Sequence, residues 1–191
     1  MMPRNPDTIE TTMTQFDPNL LMKALSFAAN KHRSQFRKGS ELIPYINHPI
    51  AVADLIVRIG KIHDEATLAA ALLHDTVEDT DTTFEDLEAE FGPVISNLVA
   101  ELTDDRKLPK EERKRLQIEH APSLSRRARI VKLADKICNL RDVVHDPPAG
   151  WLLKRKQEYF DWAKSVVDKI RGTNTALENA FEEAYANRPK S

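Results

Sequence analysis

The sequence predicts an all-α fold. Most of its apolar segments follow a residue type that begins helices, namely Ser, Thr, Asp, Asn or Pro. No segment alternates apolar and polar residues for long enough to predict a strand, and the gaps that contain glycine lack the flanking β-branched runs of hairpins. No repeat or long linker divides the 191 residues, so we expect a single domain.

The first half of the chain contains four predicted helix starts. Residues 1–16 come before them, are rich in Thr, Pro, Asn and Asp, and predict a flexible N-terminal tail, with the domain spanning residues 17–191. The starts are Asp17-Pro18 before LLMKALSFAANKH, Asn47 before HPIAVADLIVRI, Asp64 before EATLAAALLHD, and a capping box of Thr83 and Asp86 before LEAEFG. Gly60 and Gly92 are expected to end two of these helices.

Proline, serine or threonine marks the helix starts of the second half. The predicted starts are Pro93 before VISNLVAELT, Pro109 before KEERKRLQIEH, Ser123 or Ser125 before RRARIVKLADKICNLRDVV, Pro147-Pro148 before a long segment through Ile170, and Thr173 before NTALENAFEEAY. The apolar stripe of the last two helices can pack within the chain or against a second copy, so homo-oligomerisation stays open.

The composition excludes several classes of function. No two of the five glycines lie within six residues, so neither a dinucleotide-binding fingerprint nor a P-loop can be written. The net charge of −2 argues against a nucleic-acid partner. No apolar run approaches the roughly 20 residues of a membrane span, and the N-terminus lacks a signal-peptide pattern, so we expect a cytoplasmic protein without membrane contact. A single cysteine leaves histidine and carboxylate as the plausible metal ligands.

Charged residues are segregated along the chain. Residues 74–90 contain eight acidic side chains and no lysine or arginine, which suits a multivalent cation. Residues 31–38 carry four basic side chains and no acid, and residues 126–141 carry six against Asp135 alone, which suits a polyanion. Each block also fits a solvated helix face.

Three His-Asp dipeptides occur, and their context separates them. Asp64 and Asp146, each preceded by histidine, suit helix caps. His74-Asp75 instead ends the apolar segment LAAALLHD, so a buried helix end delivers an imidazole and a carboxylate into the interior. If that helix continues, Glu78 lies one turn later on the same face, near any bound water.

Two further candidates lie elsewhere in the chain. Asp135 adjoins an apolar stripe formed by Ile130, Leu133, Ile137, Leu140 and Val144, among basic residues suited to a phosphate-binding metal site. His48 lies in PYINHPI at a predicted helix start. Taken alone, an ion pair or cap also explains Asp135, and packing or capping also explains His48.

The order His48, His74-Asp75, Asp135 resembles the HD-domain metal-dependent phosphohydrolases. The segments RKGSELIPYINHP, AALLHDTVEDT, LTDD and KLADKICNLRD are similar to the hydrolase domain of RelA/SpoT enzymes, and more closely to the small stand-alone alarmone hydrolases. The resemblance runs from about residue 20 to about residue 186. It implies an all-α HD-domain helical bundle that removes the 3′-pyrophosphate of the stringent-response alarmones ppGpp and pppGpp, giving GDP or GTP and pyrophosphate.

The same resemblance implies roles for particular residues. A manganese(II) ion is expected on His48, His74, Asp75 and Asp135. Glu78 and Asp79 match the pair that positions and deprotonates the attacking water. The nucleotide contacts are expected from Arg37, which stacks on the guanine, and from Lys38, Asn139 and Tyr159, with Lys132, Arg106 and Arg141 as further candidates for the diphosphates.

Three alternatives and one departure from the family pattern accompany this interpretation. Tyr159 can instead be a core residue beside Phe160 and Trp162. Cys138 stands where the family pattern leads us to expect an aromatic residue or histidine, and we expect a buried structural thiol. The same metal centre can remove the 2′-phosphate of NADPH, and a catalytically silent HD binding module is the non-enzymatic reading.

Overall fold

The computed structural model describes residues 16–190, so the tail predicted for residues 1–16 lies, apart from Phe16, outside the described residues. Their regular structure consists of helices, with one isolated β-bridge between Phe36 and Pro44, which confirms the all-α prediction. The α-helices are α1 (Pro18–Lys31), α2 (Asn47–Arg58), α3 (Glu65–Leu73), α4 (Thr76–Asp79), α5 (Phe84–Phe91), α6 (Pro93–Leu102), α7 (Lys110–His120), α8 (Arg126–His145), α9 (Leu153–Val167) and α10 (Thr175–Ala186). Short 3₁₀ turns at Ala121–Ser123 and Asp168–Ile170 precede α8 and follow α9.

Side-chain caps fix most of the predicted helix starts. The Asp17 carboxylate accepts the amide proton of Asn19 at 2.9 Å, and Asp64 accepts that of Thr67 at 2.9 Å. The capping box of Thr83 and Asp86 is present. Of the two serines proposed for α8, Ser125 caps it. These caps satisfy amide groups that the first helical turn leaves without a partner. Because each cap acts within about three residues, the sequence alone predicts it.

Three predicted starts are wrong by a few residues. Asn47 does not cap α2 but is its first residue, because the amides of Asn47 and His48 already donate to the carbonyls of Pro44 and Tyr45. Residues 147–152 are not helical. The Ala149 amide donates instead to the Lys38 carbonyl at 3.1 Å, and α9 begins at Leu153. Asn174, and not Thr173, caps α10.

The core centres on α3 and α8. Every residue of α3 from Thr67 to Leu73 is buried, and α3 packs against α1, α2, α6 and α8. On α8 the buried stripe includes Val143, whereas Val144, which the sequence placed there, is 40% exposed. Phe160 of α9 and Phe181 of α10 are fully buried, so the apolar stripe of the last two helices packs within this chain.

The described helices contain no stretch long and apolar enough to cross a membrane.

Candidate active site

One cleft of about 1010 Å³ brings the predicted site residues together. It is lined by the loop before α2, the start of α2, the α3–α4 junction and one side of α8. All ten residues selected from the sequence line this cleft: Arg37, Lys38, His48, His74, Asp75, Glu78, Asp79, Asp135, Asn139 and Tyr159. Lys132 and Arg106 line it too, whereas Arg141 does not and is exposed.

The end of α3 presents His74 to the cleft. The Nδ1 of His74 donates to the Ala71 carbonyl at 2.7 Å, because a carbonyl can only accept. In the neutral ring Nε2 is then the bare nitrogen, and it lies 3.2 Å from Asp75 Oδ2 and 3.8 Å from Asp135 Oδ1. This buried Nε2 has no hydrogen-bond partner among the described residues.

The first turn of α2 brings a second imidazole to the same point. His48 Nε2 lies 3.1 Å from Asp135 Oδ1 and 3.8 Å from Asp75 Oδ2. One ligand atom each from His48, His74 and Asp135 lies within 4.8 Å of the other two, and Asp75 adjoins both rings. Two imidazoles, two carboxylates and an unpartnered buried nitrogen fit a divalent metal ion.

Charge within the cluster favours a cation. Burial raises the pKa of the Asp135 carboxyl, but Lys136 and the two imidazoles outweigh burial and hold that pKa well below its usual range. The pKa of Asp75 is also lowered, because His74 opposes the effect of burial. Burial lowers the pKa of His48, whereas Asp75 and Asp135 overcome burial at His74 and raise its pKa. Two ionised carboxylates therefore face the neutral imidazole of His48 and the positively charged, doubly protonated imidazole of His74.

Neighbours on α8 orient the Asp135 carboxylate. Its Oδ1 accepts a hydrogen bond from Asn139 Nδ2 at 2.6 Å, and its Oδ2 pairs with Lys136 Nζ at 3.1 Å. Lys136 is buried, with its ammonium 4.4 Å from the centre of the Trp162 ring. Such contacts fix the direction in which a ligating carboxylate points.

The helix break after His74 sets the positions of Glu78 and Asp79. The condition that α3 continues through Glu78 is not met: α3 ends at Leu73, whose carbonyl accepts a hydrogen bond from the Thr76 hydroxyl at 2.7 Å, and α4 is a separate turn. Glu78 accepts from the Asp104 amide and from Arg113, each at 3.3 Å. Burial, Asp104 and Asp75 raise the pKa of Glu78.

Arg37 is held at the cleft by two residues of α8. Its Nη2 lies 2.6 Å from Asp142 Oδ2 and 2.8 Å from Asn139 Oδ1, and its Nε donates to the same Asp142 oxygen at 3.0 Å. Lys38 is exposed beside it. We call residues 37–41 the basic loop, and the four candidate ligands His48, His74, Asp75 and Asp135 the metal cluster. Because Asn139 contacts both Arg37 and Asp135, one amide links the basic loop to the metal cluster.

Tyr159 combines the two roles considered from the sequence. It lines the cleft, and its ring packs between Trp151 and Trp162, with centroids 5.4 and 5.3 Å away. Cys138 is a buried thiol, as expected, and burial raises its pKa to about 12. A thiol with so high a pKa is a poor nucleophile, because the thiolate is the reactive form.

Sequence reasoning did not assign Tyr45 and Asp142 to the site. Both line the cleft, and each contacts a predicted site residue through a bond that spans 30 or more residues. The position of Tyr45, one turn before His48, was the available signal, because residues three apart at a helix start share a side.

Several known proteins are similar to this chain in sequence and in fold. The family model described as the HD domain matches residues 24–159. The guanosine-3′,5′-bis(diphosphate) 3′-pyrophosphohydrolases MESH1 of Xenopus tropicalis and Homo sapiens are each 54% identical, over 169 and 168 residues; both alignments cover 88% of this chain and 94% of the relative. The chain belongs to the MESH1 family of HD-domain proteins.

A solved structure extends the similarity to three dimensions. It is described as a metazoan orthologue of SpoT that hydrolyses ppGpp, and it is 50% identical with a TM-score of 0.87. The match covers 91% of this chain and 97% of the solved one. Membership of this family confirms the resemblance found in the sequence motifs.

Proposed function

We propose that this chain is a metal-dependent 3′-pyrophosphohydrolase that converts ppGpp and pppGpp to GDP and GTP with release of pyrophosphate. The observation that carries the proposal is the juxtaposition, in one cleft, of the His48, His74 and Asp135 cluster with the basic pair Arg37 and Lys38. The activity named for its MESH1 relatives supports the same reading.

His48, His74, Asp75 and Asp135 would hold the metal, and we propose manganese(II), the ion that the family resemblance implies and with which a mixed imidazole and carboxylate set is compatible. When bound, such an ion acts as a Lewis acid that lowers the pKa of water and offsets charge on the attacked phosphoryl group. Asn139 and Lys136 keep the Asp135 carboxylate turned toward the two rings, which preserves the donor set.

Glu78 acts as the general base. Its raised pKa brings its protonation closer to neutral pH, where a base best accepts a proton from attacking water. The water oxygen bonds to the phosphorus carried by the ribose 3′ oxygen, and the bond from that phosphorus to the 3′ oxygen breaks. The proton taken by Glu78 balances the one that the 3′ oxygen gains. Asp79, paired with Arg106, orients the water.

The nucleotide is bound by the basic loop and α8. The Arg37 guanidinium is fixed by Asp142 and Asn139, and a planar cation held in this way can stack on a purine. Lys38, Asn139 and Tyr159 supply further contacts along the cleft. A volume of about 1010 Å³ accommodates a nucleotide with two diphosphates.

The test compares two histidines that are each followed by aspartate. Wild-type protein, His74→Ala and His63→Ala are stripped with a chelator, reloaded with Mn²⁺ and assayed for pyrophosphate release from ppGpp. His63 is exposed and lies outside the cleft, so its variant controls for loss of a histidine. We expect His74→Ala to lose both the bound ion and the activity, and His63→Ala to keep both. A wild-type protein that binds Mn²⁺ but releases no pyrophosphate from ppGpp would favour the hypothesis of a catalytically silent HD binding module.

A further inference from the structure

Tyr45 occupies the point where the metal cluster, the acidic pair and the basic loop meet. Its hydroxyl lies 2.7 Å from Asp75 Oδ2 and 2.9 Å from Asp79 Oδ2. The guanidinium carbon of Arg37 lies 5.4 Å from the centre of its ring. One side chain therefore contacts three residues to which the proposed function gives three different tasks, while Tyr45 itself has none in that scheme.

The surroundings of Tyr45 hold its ring in one place. The ring stacks on buried His32, with centroids 4.8 Å apart and an angle of 26° between the planes, and meets His48 edge-on at 6.2 Å. Its amide donates to the Gln35 carbonyl at 2.9 Å, and its carbonyl accepts from the His48 amide at 3.0 Å. Backbone and ring are both fixed, so the hydroxyl position is determined by the fold.

Gln35 connects the same framework to Asp79 from the other direction. Its amide nitrogen donates to the Asp79 carbonyl at 2.6 Å, and its amide oxygen lies 2.7 Å from His32 Nδ1. Tyr45 thus contacts the Asp79 side chain, while the neighbours of Tyr45 hold the Asp79 backbone. The arrangement joins the residue that ends α1, the loop before α2, and α4 beside the metal cluster.

The Tyr45 hydroxyl lies within hydrogen-bond distance of the carboxylates of both Asp75 and Asp79. A phenol has one hydrogen, so Tyr45 donates to either Asp75 or Asp79 at a given moment. Its two acceptors are nearly equidistant, and Asp75 Oδ2 is the oxygen that faces both imidazoles. Without the hydroxyl, Asp75 loses its hydrogen bond from Tyr45 and, among the described residues, keeps only the two imidazoles as neighbours, and Asp79 keeps only its ion pair with Arg106 on the other oxygen.

We propose that Tyr45 is a positioning residue. Its hydroxyl sets the orientation of Asp75 at the metal cluster and of Asp79 beside the attacked phosphate, and its ring supports the Arg37 guanidinium. The roles given to Asp75, Asp79 and Arg37 rest on the proposed function.

The two parts of Tyr45 can be removed separately. Tyr45→Phe keeps the ring and deletes the hydroxyl, and Tyr45→Leu deletes both. We expect Tyr45→Phe at saturating Mn²⁺ to lower kcat for ppGpp about 10- to 100-fold with KM within about twofold, because contacts behind a metal ligand are worth that much. The same variant should weaken Mn²⁺ binding about tenfold. Tyr45→Leu should raise KM as well, because Arg37 loses its support.

Tyr185→Phe is the matched control. The Tyr185 hydroxyl lies 3.1 Å from Asp161 at the surface, and neither residue lines the cleft, so this variant should match wild type in kcat, KM and Mn²⁺ affinity. If Tyr45→Phe also matches wild type in both kcat and Mn²⁺ affinity, the positioning role is wrong. If wild-type protein has no activity on ppGpp, the proposed function fails, and the Mn²⁺ titration of Tyr45→Phe still decides whether the hydroxyl orients Asp75.

Discussion

Gly39→Ala should disable nucleotide binding without disturbing the metal cluster. Gly39 follows Arg37 and Lys38 and lies against Asp146, the residue after α8. The Asp146 carboxylate was expected to cap a following helix. It instead accepts hydrogen bonds from the Ser40 amide and hydroxyl, both at 2.7 Å, and from the Glu41 amide at 3.1 Å. These bonds fasten the basic loop to the end of α8.

The size of the effect follows from the space at residue 39. A Cβ added there would lie 1.8 Å from Asp146 Oδ2 and 2.2 Å from its Cγ, whereas ordinary contact begins at 3.4 Å. The loop and the carboxylate must therefore separate by about 1.6 Å. Because displacement of a binding group by about 1 Å costs on the order of 100-fold in rate, we expect kcat/KM for ppGpp to fall about 100-fold.

Steady-state kinetics at saturating Mn²⁺ measure this loss, and metal analysis and thermal melting accompany them. Mn²⁺ content and Tm should stay close to wild type, because the ligands lie on other elements and the loop is at the surface. Asp146→Ala supplies the control: in that background Gly39→Ala should cost less than it does alone, because the carboxylate clash is gone and only the 2.8 Å approach to the Asp146 backbone carbonyl remains. A Gly39→Ala protein with wild-type kcat/KM would refute the idea that this contact positions Arg37 and Lys38.

Three further predictions concern the cleft. Glu78→Gln should keep Mn²⁺ but lose about 10²- to 10⁴-fold in kcat, since the base is gone; loss of metal in elemental analysis would show that Glu78 is a ligand. Arg37→Ala should raise KM for ppGpp with little change in Mn²⁺ affinity by titration, and an unchanged KM would exclude its stacking role. His74 has a raised pKa, so at pH 7 the ring of the metal-free protein carries a second proton, on Nε2, in addition to the Nδ1 proton that Ala71 accepts. Mn²⁺ must displace this second proton. The Kd for Mn²⁺ should therefore rise about tenfold per unit as pH falls from 8 to 6, and calorimetry showing a pH-independent Kd would contradict this.

The parts of the fold that depend on neighbours in sequence were predictable. Asp17, Asp64 and Ser125 cap amides two or three residues away, so residue type alone indicates the helix start. The candidate ligands were found in the same way, because His74-Asp75 ends an apolar helix. The motif resemblance then distinguished His48 and Asp135 from ordinary packing or pairing residues.

The parts that depend on distant contacts were not predictable. Residues 147–152 stay outside a helix because the Ala149 amide donates to the carbonyl of Lys38, more than 100 residues earlier. The Asp146 carboxylate serves Ser40 for the same reason. The position of Tyr45 one turn before His48 was the one local signal, and it does not identify the partners Asp75 and Asp79, which lie 30 and 34 residues away.

The measurement that tests the central claim most directly compares ppGpp and NADPH at matched concentrations with Mn²⁺-loaded protein and identifies every product. The proposed function predicts GDP and pyrophosphate from ppGpp, with His74→Ala inactive on the same substrate. Orthophosphate from NADPH with no product from ppGpp would contradict it and assign the same cleft to the 2′-phosphatase reaction.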